Sequence, residues 1–95
     1  VTSLVFRQEA SDDLRRIAAE TRRAWGDEQA KRYVAGLRDD IKSLRRYPLR
    51  YPEFAPRQGL RRMNSGRHAV IYSAENDRIE IIRVLHVASD LVRWV

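Results

Sequence analysis

A chain of 95 residues with 19 Lys and Arg against 13 Asp and Glu carries a formal charge of +6 and a pI near 10.5. That length suits one domain, 1–95, with a thin core, because a chain this size buries roughly 60–70% of its unfolded surface, and the basic surplus favours an acidic partner such as nucleic acid, an anionic surface or an acidic protein. The lack of cysteine excludes disulfides, thiolate catalysis and cysteine-based metal sites, and with no apolar run near the roughly 18 residues of a membrane span and no signal pattern, a cytoplasmic protein without membrane contact is expected.

Ser3 to Arg7 hold the apolar run Leu4, Val5 and Phe6, a short buried strand. The period then changes to that of a helix. Ala10, Leu14, Ile17, Ala18, Ala24 and Trp25 fall on one face, with Asp12, Asp13, Arg15, Arg16, Glu20, Arg22 and Arg23 on the other. Gly26 suits a C-terminal cap, and Asp27 offers an acceptor for the free amides of a second helix. That helix has the apolar face Ala30, Tyr33, Val34, Leu37, Ile41 and Leu44 and must stop by Tyr47, because Pro48 has no amide donor and disfavours helix before it. So short a connection makes the two helices an antiparallel hairpin.

From Tyr47 to Gly59 the three prolines and the aromatics Tyr47, Tyr51 and Phe54 mark a loop of about a dozen residues, a length that points to function. Gly59 to Asn64, Arg67 to Glu75 and Arg78 to Val87 then read as strands joined by two-residue turns at Ser65-Gly66 and Asn76-Asp77. The class is α+β, in the order β-α-α-β-β-β, with a helical hairpin packed on an antiparallel sheet.

Those turns pair Asn64 with Arg67 and Glu75 with Arg78. One face then gathers Leu60, Ala69, Ile71, Ile82 and Val84, the set expected to meet the helices, with Arg67 and His86 opposed at its rim. The other gathers Arg61, Met63, His68, Val70, Tyr72, Ile81, Arg83 and Leu85, a basic and aromatic patch with Arg83 opposite Val70. A slip of one residue in either turn would undo this assignment. Two readings of the patch stand side by side: a solvated face on which arginine stems cover Val70 and Ile81, or a surface whose guanidinium forks and His68 receive phosphate or carboxylate. Two histidines without a neighbouring carboxylate at ligand spacing make no metal site, no glycine-rich phosphate loop or nucleophile triad occurs, and no cofactor is expected. Trp25 and Trp94 read as packing anchors.

The run Glu9-Ala10-Ser11-Asp12-Asp13-Leu14 with Ile17, then Trp25-Gly26-Asp27-Glu28-Gln29-Ala30 with Tyr33 and Leu37, resembles the ParE branch of the RelE/ParE toxins. Gly59-Leu60-Arg61, His68-Ala69-Val70-Ile71-Tyr72 and Ile81-Ile82-Arg83-Val84-Leu85-His86 with Asp90 continue the likeness over nearly the whole chain. The resemblance implies the toxin of a type II toxin–antitoxin pair, inhibiting DNA gyrase and replication and stabilising plasmids. It also implies a hetero-oligomeric complex with a ParD-like antitoxin, whose acidic disordered tail folds along the toxin.

On that reading Arg61, Arg83 and His86 contact the target, and Arg45, Arg46, Tyr47, Tyr51 and Phe54 contact the antitoxin; these aromatics equally suit the closing of a small core. The RelE branch implies instead a ribosome-dependent endoribonuclease, with His68 or His86 moving protons and Arg61 and Arg83 on the phosphate. Against it, the loop after the second helix lacks Lys and no Tyr follows Tyr72. A third alternative is a non-toxic binding module.

Overall fold

The computed structural model describes residues 2–53, 59–89 and 93, so Phe54, Asp90 and Trp94 lie outside the described residues. The order is β1 (Ser3–Phe6), α1 (Gln8–Trp25), α2 (Asp27–Ser43), β2 (Arg61–Ser65), β3 (His68–Glu75) and β4 (Arg78–His86). The strands form one sheet in the order β1-β4-β3-β2. β1 runs parallel to β4, with Leu4 beside Ile79 and Phe6 beside Ile81, while β2, β3 and β4 are antiparallel. The sheet is therefore mixed rather than purely antiparallel, because the chain crosses the whole helical hairpin between β1 and β2.

Gly26 separates the helices at φ +89. Its amide donates to the carbonyl of Arg22 and closes α1, and the same glycine is the residue before α2. Asp27 is thus the first residue of α2 rather than its cap, and no side chain caps that helix. An acidic first turn, Asp27 and Glu28, still favours the positive end of the helix dipole. α2 ends at Ser43, and turns carry the chain to Pro48.

The main core is Ala10, Leu14 and Ile17 of α1 and Leu37, Ile41 and Leu44 from α2 and its end, packed on Met63, Val70, Tyr72, Ile79, Ile81 and Val84. The sheet face that meets the helices is thus the one carrying Val70 and Tyr72, opposite to the expectation. Leu60, Ala69, Ile71, Ile82 and Leu85 form a separate buried cluster on the far face. Two features produced the inversion. From His68 to Tyr72 β3 is buried on both faces, so alternation does not say which side the helices take. β4 also carries a bulge: Tyr72 pairs with Ile81 but Ile71 with Arg83, leaving Ile82 as the extra residue. Beyond it Arg83 stands opposite Ile71, not Val70, and Val84 and Leu85 exchange faces.

The Asn76-Asp77 turn is as expected, with both residues at positive φ and Glu75 paired with Arg78, the backbone that a two-residue type I′ hairpin needs. The other turn lies one residue later than expected. Ser65 pairs with His68, which leaves Gly66-Arg67 as the loop.

Candidate functional site

The bulge and the shifted turn bring the chemistry-bearing side chains to one end of the sheet, under the bend of the helical hairpin. His68, the first residue of β3, pairs with His86, the last of β4, and their rings meet edge to face at 5.6 Å. Tyr33 of α2 reaches down to them. Its hydroxyl lies 2.5 Å from His68 Nδ1 and accepts the Arg67 amide at 3.0 Å. Trp25, at the end of α1, stands 62% exposed with the Arg67 guanidinium 5.8 Å from its ring centre. These residues, with Glu20, Thr21, Ala24 and Gln29, line a cavity of about 330 Å³. A second cavity of about 350 Å³ also touches Glu20, His68 and His86, and is lined as well by Arg16, Arg83, Leu85 and Ser89.

The hydrogen-bond geometry favours one tautomer for each imidazole. The Ala88 amide donates to His86 Nδ1 at 3.0 Å, so that nitrogen holds a lone pair. Tyr33 already accepts from Arg67, and the shorter of its other two contacts, 2.5 Å to His68 Nδ1 against 3.5 Å to the Ser65 carbonyl, favours donation to the imidazole. Each neutral ring then carries its proton on Nε2. Burial lowers the pKa of His68 below the usual histidine value, helped by His86, Arg16 and Arg67 and opposed by Glu20. His68 is accordingly a neutral N–H donor near pH 7.

Beside the histidines lies a charged cluster that periodicity had placed on the wrong side of α1. Asp13 is 1% exposed. Its carboxylate accepts Arg83 Nε at 2.8 Å, Arg83 Nη2 at 3.0 Å, Arg16 Nη1 at 3.0 Å and the Val84 amide at 2.9 Å. β1 pairs with β4 only as far as Ile81, and beyond that point Asp13 satisfies an amide that no neighbouring strand takes. Desolvation opposes the charge on Arg83, but the bonds to Asp13 outweigh it and raise the pKa. The signal was present in the sequence, since Ala10, Asp13, Leu14 and Ile17 follow the i, i+3, i+4, i+7 spacing of a buried stripe.

The other expected site residues do not converge on the histidines. Arg61 pairs with Tyr72, four residues along β3 from His68, and its Nη1 donates to the Tyr51 carbonyl at 2.5 Å. The Tyr72 hydroxyl donates to the Pro48 carbonyl at 3.0 Å, so Arg61 and Tyr72 together hold the loop after α2 against the sheet. The grouping of Arg61, His68, Tyr72 and Arg83 as one patch is thus replaced by two sites, one at each end. Arg45, Arg46 and Tyr47 are exposed at the end of α2, whereas Tyr51 packs against the core. Among the described residues no group of three or more His, Cys, Asp or Glu side chains is placed to hold a metal ion.

The family model described as ParE toxin of type II toxin–antitoxin system, parDE, matches residues 4–91. The chain belongs to this ParE toxin family. Among curated proteins none matches in sequence. A structure titled chromosomal ParDE toxin–antitoxin system from P. aeruginosa is 20% identical, with a TM-score of 0.80 over 90% of this chain and 96% of that one. The RelBE2 toxin–antitoxin complex from Mycobacterium tuberculosis is 22% identical, with a TM-score of 0.67 over 93% of each chain. The RelB–RelE antitoxin–toxin complex from Methanococcus jannaschii is 17% identical, with a TM-score of 0.59 over 96% and 99%. At these identities the likeness shows the fold, a helical hairpin on a four-stranded mixed sheet. In this ParE family chain that fold carries the cleft lined by Trp25, Tyr33, Arg67, His68 and His86.

Proposed function

We propose that this ParE-type toxin acts by binding, inhibits DNA gyrase, and is held inactive by a ParD-like antitoxin with an acidic tail. The family match over 4–91 carries the proposal, and the chemistry of the cleft supports a non-catalytic mode. RNA cleavage requires a base with a free lone pair at the ribose hydroxyl. Both histidines spend their Nδ1 lone pairs on internal donors, Arg83 is committed to Asp13, and Arg61 is tied to the loop. The meeting of His68 and His86 in one cleft is the observation that favours the ribonuclease alternative. In that case one Nδ1 bond would have to break first.

Target contact is proposed for His86, which is exposed, together with Arg61 and Arg83. Arg83 is partly buried against Asp13, so its role would be to hold the β4 end in place. Antitoxin contact is proposed for Arg45, Arg46 and Tyr47, beside the exposed Leu49, with Tyr51 as its inner boundary; Phe54, the remaining expected contact, lies outside the described residues. A basic and apolar surface of this kind suits an acidic segment that orders on binding. A second proposed contact is the groove over the hairpin, lined by Ala18, Ala30, Val34 and Ala35 with Arg22, Lys31 and Arg38 outnumbering Asp27 among its charges.

Induction of the chain in a sensitive bacterial host tests the reading. Growth arrest with intact transcripts supports it. Arrest with messages cut at fixed codon positions supports the ribonuclease, and unchanged growth supports a non-toxic binding module.

A further inference from the structure

Beyond target inhibition, we infer that the cleft between the hairpin bend and the β3–β4 end is a nucleotide site: His68 and His86 donate Nε2–H to a phosphate whose charge Arg67 offsets, and Trp25 receives the base. Three independent observations converge on it. Both imidazoles have Nδ1 satisfied from within the protein, Tyr33 serving His68 and the Ala88 amide serving His86. Each therefore keeps a proton on Nε2 while neutral, and both rings line the same two cavities. Two fixed N–H donors without an acceptor lone pair select an anion and reject a metal ion, which needs that lone pair for itself.

The charges around the cleft agree. Arg16 and Arg83 are balanced locally by Asp13 and Glu20, with Arg16 Nε 3.6 Å from Glu20 and Arg83 on Asp13. Arg67 remains in excess, and among the described residues no carboxylate pairs with it. Glu20 lines the cleft and opposes an anion, and its ion pair with Arg16 at 3.6 Å offsets part of that charge. The site thus offers one guanidinium that no carboxylate among the described residues pairs and two imidazole N–H donors, enough for a phosphate of low charge.

The third observation is Trp25. An indole 62% exposed in a small protein, at the mouth of a cavity and with a guanidinium already over its ring, is a stacking platform. Gln29 on the same wall adds an amide for base edges. An acidic peptide would use the donors but has no need of the indole, and the ring decides between the two partners. A cavity of about 330 Å³ holds one nucleotide rather than a length of strand.

The test uses the full chain carrying Trp94→Phe, so that Trp25 alone fluoresces. A nucleoside 5′-monophosphate, a 5′-phosphorylated trinucleotide, inorganic phosphate, the unphosphorylated nucleoside and an acidic peptide are each titrated, reading Trp25 quenching and the Nε2–H resonances of His68 and His86. The inference expects the monophosphate to saturate both readouts. A tighter trinucleotide would place the nucleotide at the end of a strand, and an equal or weaker one would make it a free nucleotide. Trp25→Ala should weaken binding roughly 5- to 150-fold, the range for loss of one base–aromatic stack. Arg67→Gln should weaken it for every phosphate-bearing probe. Both side chains are exposed, and circular dichroism verifies that the variants fold. The inference is overturned if the histidine resonances stay still at millimolar monophosphate, if the nucleoside binds as well as its phosphate, or if the acidic peptide competes on equal terms.

Discussion

Asp13 and Arg83, seventy residues apart in sequence, share two hydrogen bonds of 2.8 and 3.0 Å, and the same carboxylate takes the Val84 amide. This contact fastens the first helix to β4 immediately after the Ile82 bulge, where β1 no longer borders the strand.

Removing the carboxylate takes two hydrogen bonds from a mostly buried guanidinium and one from a backbone amide. Asp13→Ala should cost about 3 kcal/mol, the low end of the range for breaking a buried pair, because Arg83 keeps 17% of its side-chain surface. Arg83→Met should cost less, since Asp13 retains Arg16 and the Val84 amide. Urea denaturation of the two variants checks the order.

Gly66 has φ +57, and a Cβ there would lie 2.8 Å from the Tyr33 hydroxyl and ring. Gly66→Ala should therefore destabilise by about 1–2 kcal/mol from the left-handed backbone alone, with a further cost for moving Tyr33 off His68. In a Tyr33→Leu background the second cost should shrink, and thermal melts of the double-mutant cycle measure that coupling.

His68 has a folded pKa below that of the unfolded chain, chiefly through burial and next through His86. The unfolded state then binds the proton more readily. Stability should be full above pH about 6.5 and fall as the pH drops from there toward the folded pKa. His86→Gln and Arg67→Gln should raise the His68 pKa and reduce this slope, whereas Glu20→Gln should lower it further. Two-dimensional NMR of the imidazole nitrogens follows each titration.

Tyr47 is 61% exposed and is flanked by Arg45 and Arg46 on the surface. Tyr47→Asp with Arg46→Glu should leave the melting temperature of the free chain nearly unchanged, as exposed substitutions do. The same pair should weaken capture of a ParD-like antitoxin by at least tenfold, measured by calorimetry. Unaltered affinity would move the antitoxin surface elsewhere, with the groove over Ala30 and Val34 the next to probe.

The element order was legible because each segment declares its period: Leu14 and Ile17 at helical spacing, Pro48 as a stop, Asn76-Asp77 as a turn. The facing of the sheet was not. Val70 and Ile71 are equally apolar and equally buried, so only the extra residue at Ile82 and the partners on the helices decide which side meets the hairpin. The histidine cleft was half legible. His86 and Arg67 were expected near each other, but the pairing of His68 with His86 depends on the turn lying at Gly66-Arg67. Tyr33 read as an apolar helix residue because its hydroxyl finds its partners only across the fold. Trp25 read as an anchor and proved exposed, since α1 ends over the cleft rather than over the core.

The central claim is tested most directly by a gyrase supercoiling reaction on relaxed plasmid with ATP, with the purified chain added and the products digested with protease before electrophoresis. The account predicts lost supercoiling with accumulation of linear DNA. Normal supercoiling in the presence of a folded chain that arrests growth would contradict it and direct attention to the ribosome, with His68 and His86 as the first substitutions.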